Sequence, residues 1–288
     1  VEFPSAWART RDEYFDKALA LHDDLRGETL VGTAFAPHAP YTVSNESFAR
    51  IHLLADQLDV PVHLHLHETR FEVEDAFARL GARPLARIAG LGLLNRSLIA
   101  VHMTELNDAE IEHCARAGVS VVHCPESNLK LASGFCPVAR LLAAGVNVAL
   151  GTDGCASNND LDMFGEMRTA ALLAKAVADD AAAFDAASAL RAATLGSAQA
   201  MCFDHLVGSI ERGKQADLTC IDLSALETQP LHHVLSQLVY AAGRHQVTDV
   251  WIAGKAKLRG RMLVDMDIDA LIANARQWRE RIGVVKVG

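Results

Sequence analysis

Five short apolar runs, each ending on or beside a histidine or an aspartate, constrain the fold of this chain more than any other feature. Helical patterns separate the runs, so the chain alternates between strands and helices and is predicted to form a parallel sheet of βα units. The predicted strands and the polar residues at their ends are 29–36 with His38, 60–66 with His67, 97–101 with His102, 119–122 with His123, and 146–150 with Asp153.

The predicted helices have recognisable ends. Ser44 is placed to cap a helix that continues to about Leu58, and Asn107 with Glu110 makes a capping-box-like start for a helix that stops at Gly118. Further boundaries are expected at Pro137, as a first helical position, at Gly145, as a helix stop, and at Asp160, as the start of helices that extend to about Phe203.

Polar residues at successive strand ends favour a (β/α)₈ barrel of the TIM type, in which functional residues collect at the carboxyl ends of the strands. The alternative, an open doubly wound sheet, binds its ligand at one switch point and gives no reason for His or Asp at five successive strand ends. Eight strands are needed to close the barrel. We therefore expect strands 4–8 in this chain, with three further strands that precede Val1 or come from a partner.

Composition limits the partners. The formal net charge is −9 and the Lys and Arg residues form no cluster, which argues against nucleic acid or an anionic membrane and favours a small-molecule substrate. No run of about 18 uninterrupted apolar residues occurs, so we expect a soluble protein. The six cysteines include no C-x-x-C pair, and the sequence shows no export leader, which favours the cytoplasm.

The densest cluster of chemistry-bearing residues is HLHLHE at 63–68. Strand periodicity places His63, His65 and His67 on one face. Imidazoles that point into a barrel are costly unless something uses their nitrogens, and neutral imidazole suits zinc or iron. Glu68 follows the strand, so it can reach the same mouth and transfer protons. A satisfied core histidine and a surface glutamate are the plain alternatives, and the His65-x-x-Glu68 combination weighs against them.

Asp153 lies just beyond the fifth strand, between two glycines that allow the backbone to turn sharply. It could bind a metal, act as a base for an attacking water, or do both, although an aspartate before glycine is also a common turn device. His102 and His123 hold matching positions, and each could bind a metal, orient a hydroxide or contact a substrate. His38, flanked by prolines at another strand end, is expected to face the substrate.

Four segments together resemble the amidohydrolase superfamily. They are His65-x-x-Glu68, the strand end at His102, VVHCPESNLKLASG at 121–134, and LGTDGCASNN at 150–159. Within the superfamily they are most similar to the 5′-methylthioadenosine/S-adenosylhomocysteine deaminases and to the related chlorotriazine hydrolases. The resemblance implies the C-terminal portion of a hydrolase barrel at 1–207, the C-terminal share of a small β-sandwich at 208–264, and a terminal helix at 265–288.

The resemblance also implies an activity, namely the hydrolytic release of ammonia from an adenine-type nucleoside such as 5′-methylthioadenosine, S-adenosylhomocysteine or an adenosine-like compound. His65 and Asp153 would ligate one divalent metal ion, usually Zn²⁺, with Fe²⁺ or Mn²⁺ as alternatives. Glu68 would shuttle protons and contact the ring, His102 would position the hydroxide that attacks the amino-bearing carbon, and Asp153 would assist proton transfer to the ammonia. His38 and His123 are the further expected substrate contacts. A homodimer or larger homo-oligomer is implied as well.

The sequence departs from the family pattern at one point. Family members carry a His-x-His pair at the end of the first barrel strand, which supplies two more metal ligands, and nothing before His38 matches it. We therefore expect this chain to be a portion of a longer enzyme. Two other functions are open alternatives. One is the same scaffold acting on guanine, a pterin or a chlorotriazine, and the other is a non-catalytic fragment that serves only in assembly.

Overall fold

Four parallel strands form the sheet that positions the polar strand ends. The computed structural model describes residues 1–283, and in its first sheet each strand pairs in parallel with the next along the chain. The strands are β1 (Val62–Leu66), β2 (Leu98–His102), β3 (Ser120–His123) and β4 (Asn147–Leu150). Each lies within two residues of its predicted range, so the prediction of an α/β fold with a parallel sheet is confirmed.

The predicted strand at 29–36 is wrong as a regular strand. Only Phe35 forms a bridge, to Val62, although the Phe35 amide donates to the Pro61 carbonyl and the segment does run parallel to β1. Leu30 and Val31 are 57% and 48% exposed. Within residues 1–283 the segment is paired on one side only, and a ladder on one side without buried side chains is too weak to hold a regular strand.

Helices flank the sheet and continue beyond it. In chain order they are α1 (Arg11–Asp24), α2 (Asn45–Leu58), α3 (Arg70–Leu80), α4 (Pro84–Gly90), α5 (Asp108–Ala117), α6 (Pro125–Lys130), α7 (Val138–Ala143), α8 (Met163–Ala178), α9 (Ala186–Arg191), α10 (Ser197–Ala200), α11 (Val234–Tyr240) and α12 (Ile268–Ile282). A π-helical turn, Ala192–Gly196, joins α9 to α10, and 3₁₀ turns lie at Leu226–Thr228 and Arg244–Gln246.

Several predicted helix ends are confirmed. Ser44 caps α2 by accepting from the Ser47 amide, and Asn107 and Glu110 form a reciprocal capping box at the start of α5. Gly118 ends α5 in the left-handed conformation that a helix stop requires.

Two predicted helix starts are wrong. Pro137 is the N-cap of α7 rather than its first helical residue. Asp160 does not open α8, because the chain turns at Leu161 with φ 51° before the helix begins. The cap is Asp162, whose side chain accepts from the Phe164 amide.

The core lies on the side of the sheet that faces the helices. Leu64 of β1 is fully buried, as are Phe48 of α2 and Ile88 of α4, and all three belong to one apolar cluster. Along β1 the burial alternates, so that His63 and His65 are only half-buried and point away from this cluster. The alternation therefore separates an apolar face of β1, which stabilises the fold, from a face that carries the two histidines.

A second sheet follows the α8–α10 region. Its four antiparallel strands are β5 (Leu218–Ile221), β6 (Val247–Ile252), β7 (Lys255–Arg259) and β8 (Met262–Leu263). The strands predicted after Gly208 are thus present, and α12 starts after its cap Asp267 close to the predicted position. No residue of these strands or of α12 is buried. Among residues 1–283 the structure contains no helix with the length and apolar character needed to cross a membrane.

We expect Leu64→Ala to lower the free energy of unfolding by about 2–5 kcal/mol, because it leaves a cavity in a fully buried position. Leu53→Ala is the matched control, since Leu53 of α2 is 57% exposed, and its effect should stay within about 0.5 kcal/mol. Urea unfolding followed by circular dichroism measures both. Equal losses for the two variants would contradict the placement of the core.

Candidate metal centre

Parallel pairing brings imidazoles from two strands next to the aspartate that follows the last strand of the sheet. His65 lies in β1, His102 ends β2, and Asp153 follows β4. One ligand atom from each of these residues lies within 4.8 Å of those of the other two. The His65 and His102 rings are stacked, with their centroids 5.5 Å apart. Within residues 1–283 this is the one cluster of at least three His, Cys, Asp or Glu residues with metal-site spacing.

Oxygen acceptors orient both imidazoles. Nδ1 of His65 is 2.7 Å from the carbonyl oxygen of His38, which can only accept, so Nδ1 carries the proton and Nε2 keeps its lone pair. Nδ1 of His102 is 2.9 Å from Oδ1 of Asn128, which leaves Nε2 of His102 as the free acceptor. A hydrogen bond from one ring nitrogen to an oxygen is the usual way in which a metal-binding histidine is oriented.

Two serine hydroxyls hold the Asp153 carboxylate. Oγ of Ser127 and Oγ of Ser157 each donate to Oδ2 of Asp153 over 2.6 Å. Burial raises the pKa of Asp153, but the hydrogen bonds outweigh burial, and the pKa lies below its ordinary value. Asp153 also has φ 61°, a left-handed conformation that costs on the order of 1–3 kcal/mol for a residue with a side chain. The fold therefore holds an ionised carboxylate beside the two imidazoles.

Glu68 reaches the same space from the end of β1. Its Oε2 lies 3.9 Å from Nε2 of His102, and its Oε1 accepts a hydrogen bond of 3.2 Å from Oγ of Ser133. The Glu68 backbone is fixed as well, because its amide donates to Glu72 over 2.8 Å and its carbonyl accepts from Thr104 over 2.7 Å. A carboxylate thus stands within reach of any proton that is exchanged near His102.

A cavity of about 1230 Å³ opens beside Glu68. It lies between α3 and the segment 40–46, and Tyr41 and Phe71 are among its lining residues. Its volume exceeds what a small-molecule ligand requires. Of the residues in the cluster described above, Glu68 alone lines this cavity, so the cavity adjoins the candidate metal centre rather than containing it.

The donor set fits a divalent ion of the zinc type. Two neutral imidazole nitrogens and an ionised carboxylate are typical zinc ligands, and catalytic zinc sites use three protein ligands with one open position. The family resemblance implied His65 and Asp153 as ligands and His102 as the residue that positions the nucleophile. The structure brings these three together, and His102 lies close enough for either role.

His38 lies beside the cluster, as predicted. Its ring centroid is 5.4 Å from that of His65, and its Nδ1 is 3.1 Å from Oγ1 of Thr42. Burial lowers the pKa of His38, and the nearby His65 lowers it further. A neutral imidazole at this exposed edge is suited to accept from or donate to a ligand, and its predicted substrate contact stays a prediction.

The prediction that His63, His65 and His67 share one face is wrong for His67. The backbone turns at His67, with φ 51°, and the side chain is fully buried on the other side of the strand end. There its Nδ1 is 3.0 Å from the Glu105 carbonyl and its Nε2 accepts from the Leu85 amide. Burial lowers the pKa of His67 to about 4. His63 does share the face, with its ring centroid 5.9 Å from that of His65.

His123 is 1% exposed at the end of β3. Burial lowers the pKa of His123 to about 3, so the ring is neutral, and its Nδ1 has no hydrogen-bond partner among residues 1–283. His123 does not line the cavity beside Glu68. Its substrate contact stays a prediction.

Four polar residues that support the cluster were missed in the sequence. Ser127 and Ser157 hold Asp153, Asn128 orients His102, and Ser133 donates to Glu68. All four lie inside two of the four segments that carried the family resemblance, 121–134 and 150–159. The available signal was the concentration of Ser and Asn directly after strand ends, where a side chain can reach the mouth of the sheet.

The chain is similar to known proteins of one enzyme family. The model described as "Amidohydrolase family" matches residues 6–257, and the chain therefore belongs to the amidohydrolase family. Two relatives are named 5-methylthioadenosine/S-adenosylhomocysteine deaminase. That of Teredinibacter turnerae is 50% identical over 283 residues, or 98% of this chain and 64% of the relative, and that of Saccharophagus degradans is 46% identical over 282 residues, or 98% and 63%.

Solved structures agree with the family. An adenosine deaminase from Xanthomonas campestris with bound zinc has a TM-score of 0.96 and 70% identity, covering 97% of this chain and 64% of that chain. A triazine hydrolase from Arthrobacter aurescens has a TM-score of 0.88 and 25% identity, covering 92% and 59%. The resemblance predicted from the sequence is confirmed. The chain spans 64% and 63% of the length of the two deaminase relatives.

We expect Ser127→Ala to raise the pKa of Asp153 toward its ordinary value, because the variant removes one of two hydroxyl donors to the carboxylate. Nuclear magnetic resonance of labelled aspartate carboxyls, titrated with acid in metal-free protein, measures this pKa. Ser133→Ala is the control, since its hydroxyl donates to Glu68 instead. If neither substitution moves the titration of Asp153, the hydrogen bonds do not set the charge of this carboxylate.

Proposed function

We propose that this chain belongs to a metal-dependent hydrolase that removes the amino group of an adenine-type nucleoside, with 5′-methylthioadenosine, S-adenosylhomocysteine and adenosine as the candidate substrates. The observation that carries the proposal is the convergence of His65, His102 and Asp153, with Glu68 at 3.9 Å from His102. The names of the relatives and of the zinc-containing deaminase support the substrate class.

In this proposal His65 and Asp153 hold one divalent metal ion, with zinc as the first candidate. The free Nε2 of His65 and the ionised carboxylate of Asp153 are suitable donors, and zinc is present in the similar adenosine deaminase structure. A divalent ion, when bound, makes water a nucleophile near neutral pH. Further ligands would come from residues that the relatives have and this chain does not match.

Three side chains, those of His102, Glu68 and Asp153, have separate roles in the proposed reaction. His102, with its Nε2 free to accept, positions the attacking water against the amino-bearing ring carbon. Glu68 carries a proton to the neighbouring ring nitrogen, which it can do because its carboxylate lies next to His102. Asp153 assists proton transfer to the amino group, which leaves as ammonia while the carbon keeps the oxygen of water. His38 and His123 are the proposed further substrate contacts.

The same proposal extends to the architecture. The four parallel strands and the segment beside β1 would be strands 4–8 of a (β/α)₈ barrel at 1–207, closed by strands outside this chain. The sheet at 208–264 would be the C-terminal share of a small β-sandwich, followed by α12 (Ile268–Ile282), and residues 284–288 of the predicted terminal helix lie outside the described residues. The exposure of β5–β8 and of α12 supports this division, because a sheet of that size with no buried residue lacks the second layer that a domain needs.

A chlorotriazine hydrolase is the second candidate. The TM-score of 0.88 to a triazine hydrolase favours it, since the same scaffold can attack a ring carbon that carries chloride. The two reactions differ in the leaving group, so the products distinguish them. Ammonia is expected from the nucleosides, whereas release of chloride from a chlorotriazine, with no ammonia from any nucleoside, would contradict the deaminase proposal.

Removal of the Glu68 carboxylate tests the proton-transfer role. In a chimera that adds to this chain the unmatched residues of the Teredinibacter turnerae relative, we expect Glu68→Gln to lower kcat for ammonia release at least about 100-fold with metal content unchanged. Asp153→Asn should lower both kcat and metal content. Glu74→Gln on the exposed side of α3 is the control and should change neither. Full activity of Glu68→Gln would refute the assignment.

A further inference from the structure

The segment 151–162, between β4 and α8, carries Asp153 and is called here the aspartate loop. It is tied down at Asn158, which is 3% exposed. Oδ1 of Asn158 accepts from the amides of Asp160 and Leu161, over 3.2 and 2.9 Å. These two donors fix the orientation of the amide group. Nδ2 of Asn158 therefore points away from its own loop.

Nδ2 of Asn158 faces two glutamates on two different helices. It donates to Oε1 of Glu166 on α8 over 2.6 Å and lies 3.4 Å from Oε2 of Glu126 on α6. Glu166 is fully buried, and its Oε2 accepts from the Glu126 amide over 3.3 Å. The side chain of Asn158 thus joins the aspartate loop to both helices that pack behind it. These contacts of Asn158 with Glu126 and Glu166 are called here the junction.

Asp153 depends on this junction through both of its hydroxyl donors. Ser157 is adjacent in sequence to Asn158, and Ser127 is adjacent to Glu126. Each of the two serines donates to Oδ2 of Asp153 over 2.6 Å. A shift of the junction would therefore move both donors, and the left-handed backbone of Asp153 would have less to hold it.

We propose that Asn158 and Glu166 are positioning residues for Asp153, holding the aspartate loop so that the carboxylate stays beside His65 and His102. The proposal rests on the proposed function only in taking Asp153 as a metal ligand. Neither positioning residue touches the metal centre itself. Their effect passes through Ser127, Ser157 and the backbone of the loop.

The pKa of Glu166 reflects burial on one side and hydrogen bonds on the other. Burial raises the pKa of Glu166 to about 8, and the acidic neighbours Glu126 on α6 and Asp160 in the loop act in the same direction. The hydrogen bonds that Glu166 accepts from the Glu126 amide and from Nδ2 of Asn158 lower this pKa, but burial outweighs them. Oδ2 of Asp160 in turn lies 3.9 Å from a guanidinium nitrogen of Arg244. At neutral pH Glu166 is therefore mostly protonated, and its ionisation would place a second negative charge against Glu126.

The raised pKa of Glu166 makes the folded protein less stable as the pH rises. Glu166 keeps its proton in the folded protein up to about pH 8, whereas the unfolded chain releases it near 4.5. The unfolded state therefore binds fewer protons between these values, and stability falls as the pH rises through that window. Glu166→Gln, which is neutral at every pH, should lack this part of the decline.

The test is hydrogen exchange of the aspartate loop in the metal-free 288-residue protein, together with a zinc titration of the same protein. The variants are Glu166→Ala, which removes the acceptor, Glu166→Gln, which keeps an uncharged acceptor, and Asn158→Ala, which cuts the link and leaves α8 intact. Glu112→Ala, at an exposed position of α5, is the matched control. Circular dichroism and exchange in β1–β4 show whether each variant is folded.

We expect Glu166→Ala and Asn158→Ala to lower the protection factors of amides 154–162 at least tenfold and to weaken zinc binding, with exchange in β1–β4 unchanged. Glu166→Gln should restore protection at pH 7 relative to Glu166→Ala, because its amide oxygen can still accept from Nδ2 of Asn158. Unchanged loop exchange in Asn158→Ala, or Glu166→Gln behaving like Glu166→Ala at pH 7, would overturn the proposal. Exchange is measured without metal or substrate. The result therefore tests the positioning role of Asn158 and Glu166 even if the deaminase proposal fails.

Discussion

The candidate centre depends on the parallel register of four strands. Leu66 of β1 lies opposite His102 of β2, and His123 of β3 lies opposite Leu150 of β4, so the strands end almost level. Parallel strands that end level place the residues that follow them at one edge of the sheet. A slip of β1 by one residue would turn His65 toward the apolar cluster and a leucine toward the centre. Burial of the alternate leucines of β1 is what prevents that slip.

The strand ends carry backbone strain that the surrounding polar side chains offset. His67, His102, Met103 and Asp153 all have positive φ, between 50° and 74°. Each such residue costs on the order of 1–3 kcal/mol, and such conformations persist where the surroundings determine them. The offsetting contacts reach His102 from Asn128 and Asp153 from two serines. The centre is therefore shaped by helix α6 and by the aspartate loop as much as by the strands.

The parts of the fold that follow from periodicity and local caps were predictable from the sequence. Strands β1–β4 and the capping box of Asn107 were predictable because burial alternation and caps are local signals. The segment 29–36 was not, because a regular strand depends on neighbours that one apolar run does not reveal.

Within the site, the grouping of His65, His102, Asp153 and Glu68 followed from strand ends alone. The turned-away His67 did not, because one left-handed residue reverses the face that alternation assigns. The hydrogen bonds of Ser127, Asn128 and Ser157 depend on which helix packs behind which strand. Tertiary packing of that kind is not encoded in any single segment, although the Ser and Asn content of these segments hinted at polar support.

The most direct measurement is the zinc stoichiometry, by elemental analysis after dialysis, of the chimera that carries the unmatched residues of the Teredinibacter turnerae relative. Wild-type protein is predicted to retain about one ion per chain, and His65→Ala and Asp153→Ala are each predicted to lose it, since three or four protein ligands hold such an ion. His245→Ala is the control and should retain it, because the His245 side chain is exposed and lies beside Glu227 rather than in the cluster. Retention of stoichiometric zinc by both the His65 and Asp153 variants would contradict the central claim, because the ion would then be held elsewhere.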